Sequence, residues 1–250
     1  MLTSIGKAAF ETLGLRVRRS GLENRFDAMG DALRNMRSRG FVPTVVIDGG
    51  SNVGQWATLA SGVFPEARFH LVEPQPGCWP HLESRFPAPR FALHKVVLTA
   101  PGLSEVRMVT ARGAGDTPTG TYVERHVDDP AAPRLTFPAS TLDALVLGGL
   151  TPQDRVLLKL DLEGHEIAAL DGAAALLPRV DVIVSEVTFF DIHGSGHVTF
   201  SQLLRYLEDR GFELYDFAAL AARRRDGRLR MGDAVFARRG TPLVADVAWA

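Results

Sequence analysis

Cys78 is the only cysteine in 250 residues, so no internal disulfide can form and no zinc cluster can be built on thiolates. A lone thiol fits a reducing compartment. No apolar run is long enough to span a bilayer. The N-terminal stretch "MLTSIGKAAFETLGLRVRRSG" has its basic residues on the wrong side of a broken apolar segment for a signal peptide. The expectation is a cytoplasmic protein without membrane insertion. Charge of one sign is also lacking: 28 Lys and Arg face 29 Asp and Glu, a net of −1, and no overall field draws in nucleic acid or an acidic membrane surface. The expected partner is a small molecule. What the chain does have is 46% apolar residues, enough to bury a full core and to argue for one large α/β domain.

Apolar residues at helical spacing in "RFDAMGDALRNMRSRG" predict an amphipathic helix ending at Gly40. We divide the chain accordingly into an N-terminal helical extension over 1–40 and the main domain over 41–250. The stripe Phe26, Met29, Leu33 and Met36 would pack on the core or on a second subunit, which keeps a homo-oligomer open. Beyond it, "TVVID", "RFHLVE" and "FALHKVVL" read as strands separated by the helices "VGQWATLASGVF" and "GCWPHLESRF". Residues 112–138 lack sustained periodicity and read as a long loop over a ligand. Then come a short helix in "STLDALVLGG", a strand in "RVLLKLDLEG", a helix in "HEIAALDGAAALL" and a strand in "VDVIVSEV". The chain closes with a helix in "TFSQLLRYLEDRG" and strands in "FELYDF" and "DAVFAR", joined by the hairpin-like "AARRRDGRLRM". Such alternation builds a parallel sheet covered on both faces.

The strand "VVID" runs into Gly49, Gly50, Ser51, Asn52 and Gly54 at a helix start, where small residues let a ligand approach the backbone. The plain alternative is a tight strand-to-helix turn. Glu73, followed by Pro74, ends the next strand nineteen residues past Gly54, where an acid can accept hydrogen bonds from both ribose hydroxyls of a nucleoside. Nicotinamide dinucleotides and S-adenosylmethionine both present that ribose, so the loop decides between them. A dinucleotide site needs G-x-G-x-x-G and a pyrophosphate at the helix N-terminus. Here Asp48 would repel phosphate, and it suits a cationic sulfonium ligand that also carries an ammonium group.

"VIDGGSNVGQW", "FHLVEPQP", "STLDAL", "LLKLDLEGHEIAALDGA" and "VIVSEV", in that order, resemble the signatures of FkbM-type S-adenosylmethionine-dependent methyltransferases. The resemblance covers about 44–238. It implies a class I methyltransferase fold, a Rossmann-like doubly wound sheet of seven strands with the last one antiparallel. It also implies O-methylation of a hydroxyl, often on a sugar or a glycosylated natural product. Ser51 stands where the family commonly has alanine, and His165 where a small residue is common.

Candidate catalytic groups should sit at the carboxyl ends of the strands. Asp161 and Glu163 end "LLKLDLEG" and Glu186 ends "VIVSE". Each also has a plain role as a helix cap, a first-turn acid or a solvated strand end. Asp161 and Glu186 could alternatively hold a magnesium ion that polarises the acceptor. A histidine could be the base: His193 in its glycine-rich loop leads, with His165 and His126 behind it. Trp56 and Trp79 read as packing residues, and the run Arg223, Arg224, Arg225, Arg228 and Arg230 as a solvated hairpin tip. Three functions compete: an O-methyltransferase with a carbohydrate-containing acceptor, a nicotinamide-dependent oxidoreductase, and a nucleoside-binding domain without catalysis.

Overall fold

The computed structural model describes residues 25–110, 120–124, 132–191 and 196–245. His126 and His193 lie outside them. Helix α1 (Arg25–Ser38) leads through Gly40, at φ 88°, into β1 (Val45–Gly49), buried at every position. A strand apolar on both faces belongs in the middle of a parallel sheet. Next follow α2 (Gln55–Val63), β2 (Arg68–Val72), α3 (Trp79–Arg85) and β3 (Phe91–His94). The second half of the sheet comes from β8 (Val156–Leu160), β9 (Val180–Thr188), β10 (Phe212–Ala222) and β11 (Leu229–Arg238). Between these strands run α5 (Glu166–Asp171) and α6 (Phe200–Glu208).

The strand order is β10-β11-β9-β8-β1-β2-β3. The pairs β9–β8, β8–β1, β1–β2 and β2–β3 are parallel, while β11 is antiparallel to both its neighbours. This is the seven-stranded sheet with its last strand antiparallel that the resemblance implies. One face packs Ile47, Leu158, Ile183 and Phe236 with α5 and α6. The other packs Val46, Phe69, Leu157 and Val182 with α2 and with Met29, Leu33 and Met36 of α1. The α1 stripe thus lies on the core of its own chain, except that Phe26 is 38% exposed.

Two expectations need correction. "FALHKVVL" is not one strand: Phe91–His94 joins the main sheet, and β4 (Val97–Leu98) turns away to a second sheet. An apolar run carries no mark of which sheet it will join. Nor is 112–138 simply a loop. The second sheet, of order β4-β7-β5-β6, contains β5 (Glu105–Val109), β6 (Tyr122–Val123) and β7 (Arg134–Ser140). Pro138 within β7 masked it, since proline argues against an interior strand. Val97, Val106, Met108 and Phe137 form the small core of this sheet. A short helix, α4 (Leu142–Val146), follows and is capped by the Thr141 hydroxyl. Helix α5 ends at Asp171, shorter than predicted, and at Gly172 the chain passes so close to the Thr99 carbonyl oxygen that a Cβ would stand 2.2 Å from it.

Candidate functional site

At the carboxyl edge the first turn is stitched to both neighbouring strands. The Gly50 and Ser51 amides donate to the Val72 carbonyl (3.0 and 3.1 Å). The Ser51 hydroxyl donates to the Asp48 carbonyl at 2.7 Å and accepts from the Val72 amide at 3.1 Å. Alanine at 51 could make neither side-chain contact. Gly50 has φ 77°, and a Cβ there would lie 2.1 Å from the Asp161 carbonyl oxygen. Gly50 is therefore required by the close pass of the chain leaving β8. Asn52 and Gly54 also take left-handed conformations, at φ 48° and 85°.

Asp48 sits beneath this turn, not in the cavity. Its side chain is fully buried and pairs with Lys159 Nζ at 3.1 Å. That ammonium also donates to the Gly50 carbonyl at 3.0 Å and lies 3.7 Å from Asp161 Oδ2. Burial pushes both partners towards neutrality, raising the Asp48 carboxyl and depressing the Lys159 ammonium. For Lys159 the nearby carboxylates outweigh burial and the net shift is upward. With acceptors on several sides, Lys159 is the charged centre of the turn. The direct contact between Asp48 and a cationic ligand expected from sequence is corrected accordingly: its charge is already matched.

Glu73 lies where the strand-end argument put it. Its side chain is buried, with Oε2 accepting from the Asn52 amide (2.8 Å) and Oε1 from the Gln75 amide (2.9 Å). Each carboxylate oxygen carries two lone pairs, and the Gln75 side chain also reaches this group. Desolvation raises this carboxyl, and those two amides oppose the rise. Glu73 and Pro74 border a cavity of about 230 Å3, together with Gly50, Ser51 and Asn52. Its apolar wall comes from Val97 and Leu98 of β4 and Met108 of β5. The second sheet, illegible beforehand, thus closes one side of the site. Trp56, read as a packing residue, does line the core but also the cavity; its indole N–H has no acceptor among the described residues.

Asp161, Glu163 and Glu186 meet at the opposite wall, each offering an oxygen within 4.8 Å of the others. Such a set has the chemistry for a hard divalent ion. Arg25, at the start of α1, is already there. Its guanidinium is 2.8 Å from Glu186 Oε1 and 3.6 Å from Asp161 Oδ2, and it grips buried Asp233 of β11 through Nε (2.6 Å) and Nη2 (2.5 Å). A divalent ion would compete with this cation, so the cluster does not fit a resident magnesium while Arg25 holds its place. Burial, then the charge of Asp161, pushes Glu186 up to about 9, with Arg25 opposing. Glu186 is consequently a poor base near pH 7.

His165 precedes α5 and also borders the cavity, its Nε2 3.1 Å from Thr99 Oγ1. The turn before it is held by Glu166, whose Oε1 accepts from the Leu162 and Gly164 amides at 3.0 and 3.1 Å. Burial raises that carboxyl to about 7. Lys159 and Arg25 escaped the sequence reading. Lys159 left a signal, a lysine inside the otherwise apolar "LLKL". Arg25 left none, because its partner Asp233 is 208 residues away.

The methyltransferase FkbM domain family matches residues 48–214, well over half of the chain. Comparison with curated proteins gives no match. Among solved structures, precorrin-6y C5,15-methyltransferase from Geobacter metallireducens is 15% identical, covering 89% of this chain and 94% of its own at a TM-score of 0.44. A putative S-adenosylmethionine-dependent methyltransferase from Listeria monocytogenes is 10% identical, with coverages of 85% and 99% and a TM-score of 0.47. Family match and sheet order together give the conclusion: the chain belongs to the FkbM methyltransferase family and has the fold of S-adenosylmethionine-dependent class I methyltransferases.

Proposed function

We propose that this protein is an S-adenosylmethionine-dependent O-methyltransferase acting on a hydroxyl of a small cytoplasmic acceptor, a sugar or a glycosylated natural product. The observation that carries the reading is the pairing, across one cavity, of the buried Glu73 carboxylate with the Asp161 and Glu163 acids. Glu73 would take the ribose hydroxyls of the donor on its carboxylate oxygens, leaving the glycine turn against the rest of that molecule. When bound, the donor supplies an electrophilic methyl on a sulfonium. The protein then has to hold the acceptor oxygen in line and receive its proton. Asp161 is the residue we assign to that proton, with Glu163 beside it. Arg25 and Lys159 flank Asp161 and fix its position. Glu186, held high by burial and its neighbours, is better suited to donate a hydrogen bond than to take a proton.

A nicotinamide-dependent oxidoreductase is disfavoured because the acidic wall and the absence of a G-x-G-x-x-G turn offer pyrophosphate no cradle. Arg25 supplies the positive charge that magnesium would supply, so turnover is expected to persist in EDTA. Glu73→Ala should weaken S-adenosylhomocysteine binding by about 5- to 150-fold, the equivalent of about 1–3 kcal/mol for lost partners of buried hydroxyls. Calorimetry reads this, and unchanged affinity in a folded variant would remove Glu73 from the ribose. Asp161→Asn should retain donor affinity yet slow methyl transfer by about a hundredfold, because the loss falls on the transition state. Wild-type turnover by that variant, measured with radiolabelled methyl on an acceptor, would exclude Asp161 as the base. Donor binding without turnover on any hydroxyl acceptor would favour the non-catalytic domain instead.

A further inference from the structure

The arginine run is a hairpin tip, as its composition suggested, but the sheet places it at the site. Strand β11 is antiparallel to β9, with Asp233 opposite Glu186 and Met231 opposite Thr188. The β10–β11 tip must therefore project past the carboxyl edge on which the acids stand. Arg230 borders a small cavity of about 50 Å3 shared with Glu163 and Glu186, both of which also line the main cavity. The Phe189 amide donates to the Arg230 carbonyl at 3.0 Å, tying the segment after β9 to the arm. Phe190 carries two of the guanidinium groups on its ring, Arg228 at 4.2 Å and Arg223 at 5.1 Å. Arginine stacked on an aromatic face is held ready for bidentate contact with an oxyanion. Asp226 pairs with Arg223 and Arg225. Among the described residues no carboxylate pairs with Arg224, Arg228 or Arg230.

We propose that this arm binds a phosphate or diphosphate group on the methyl acceptor, holding it while a distant neutral hydroxyl enters the acidic wall. The inference deepens the methyltransferase reading and rests on it. Its physical basis is a separation of sign. Asp161 and Glu163 line the floor, where the two cations Arg25 and Lys159 are already paired with carboxylates, so the floor offers an anion nothing to bind, whereas the tip gathers five arginines against one aspartate in a chain of net charge −1. Crowding like charges raises the energy of the free protein unless an anion meets them. A molecule with a hydroxyl at one end and phosphate at the other is oriented by that gradient in one direction only. Arg230 stands three residues beyond Asp233 along β11, about 10 Å at about 3.3 Å per residue, and Arg228 lies just outside that strand, one residue before its start. That span corresponds to an acceptor whose hydroxyl is separated from its phosphate by one or two sugar rings, as in a nucleotide-linked or oligosaccharide phosphate.

The test is calorimetric titration of the full chain with inorganic pyrophosphate, with and without saturating S-adenosylhomocysteine. The wild type should bind, and Arg224→Gln/Arg228→Gln/Arg230→Gln should bind at least tenfold more weakly. A control with the same loss of charge elsewhere, Arg39→Gln/Arg85→Gln/Arg239→Gln, should match the wild type, and all three proteins should bind S-adenosylhomocysteine equally. No pyrophosphate binding by the wild type, or equal weakening in both triple variants, overturns the arm. Failure of the wild type to bind S-adenosylhomocysteine sinks the methyltransferase reading separately, and pyrophosphate binding by the free chain still reports on the arm.

Discussion

Lys159→Met is expected to lower the unfolding free energy by about 3–5 kcal/mol, the cost of leaving one member of a buried ion pair without its partner. Asp48 is fully buried, and Lys159 is its one ion-pair partner among the described residues. Methionine fills comparable volume, so the loss is electrostatic rather than a cavity effect. The double variant Lys159→Met/Asp48→Asn should regain most of the loss, because the charge stranded by the single substitution is gone. Asp48→Asn alone should cost less than Lys159→Met. The ammonium would still have Asp161 at 3.7 Å and the Gly50 carbonyl at 3.0 Å. Urea titrations of the three variants read these differences directly. A single-variant loss below about 1 kcal/mol would mean that Lys159 is not what keeps the Asp48 charge tolerable.

That pair also marks how far the sequence could be read. Asp48 was identifiable as an acid at the end of β1, and its strand position was right. Its partner was not assigned, because deciding whether Asp48 faced a ligand or a lysine requires knowing that β8 lies beside β1, with Asp48 opposite Lys159 in register. Glu73 was legible for the converse reason. Its environment is local, made by the Asn52 and Gln75 amides within 21 residues, and an acid after an apolar strand is a visible signal. The seven strands of the main sheet were visible as apolar runs bounded by glycine and proline, though β3 takes only the first part of its run and β10 and β11 reach into the stretch that reads as their connection. The second sheet was not, since β6 and β4 are two residues each and β7 contains proline. Arg25 represents the hardest case. The predicted helix was correct, but nothing along the chain says that its first residue reaches Asp233 and Glu186 at the far end of the sequence.

Gly50→Val is expected to prevent folding or to lower stability by several kcal/mol, and to do so whether or not a donor is present. Two costs combine. A residue with a side chain at φ 77° pays about 1–2 kcal/mol for the left-handed backbone, and a β-branched one fares worse there. The larger cost is the overlap with the Asp161 carbonyl oxygen, 2.1 Å from the added Cβ. That oxygen is backbone and cannot swing aside. Moving it disturbs the bond from the Asp161 amide to the Gly49 carbonyl, 3.1 Å long, and with it the β1–β8 pairing on which Asp48 and Lys159 depend. Gly54 offers the internal comparison. Its backbone is equally left-handed at φ 85°, but there a Cβ would meet the Phe86 ring at 2.3 Å, a buried side chain packed on Phe91 that can shift at a cost in packing, whereas the paired backbone at Asp161 cannot. Gly50→Ala should therefore destabilise more than Gly54→Ala in parallel urea titrations. Should the two cost the same, or should Gly50→Val fold with native stability and merely lose S-adenosylhomocysteine, the glycine serves ligand access and not the passage of β8 beneath the turn.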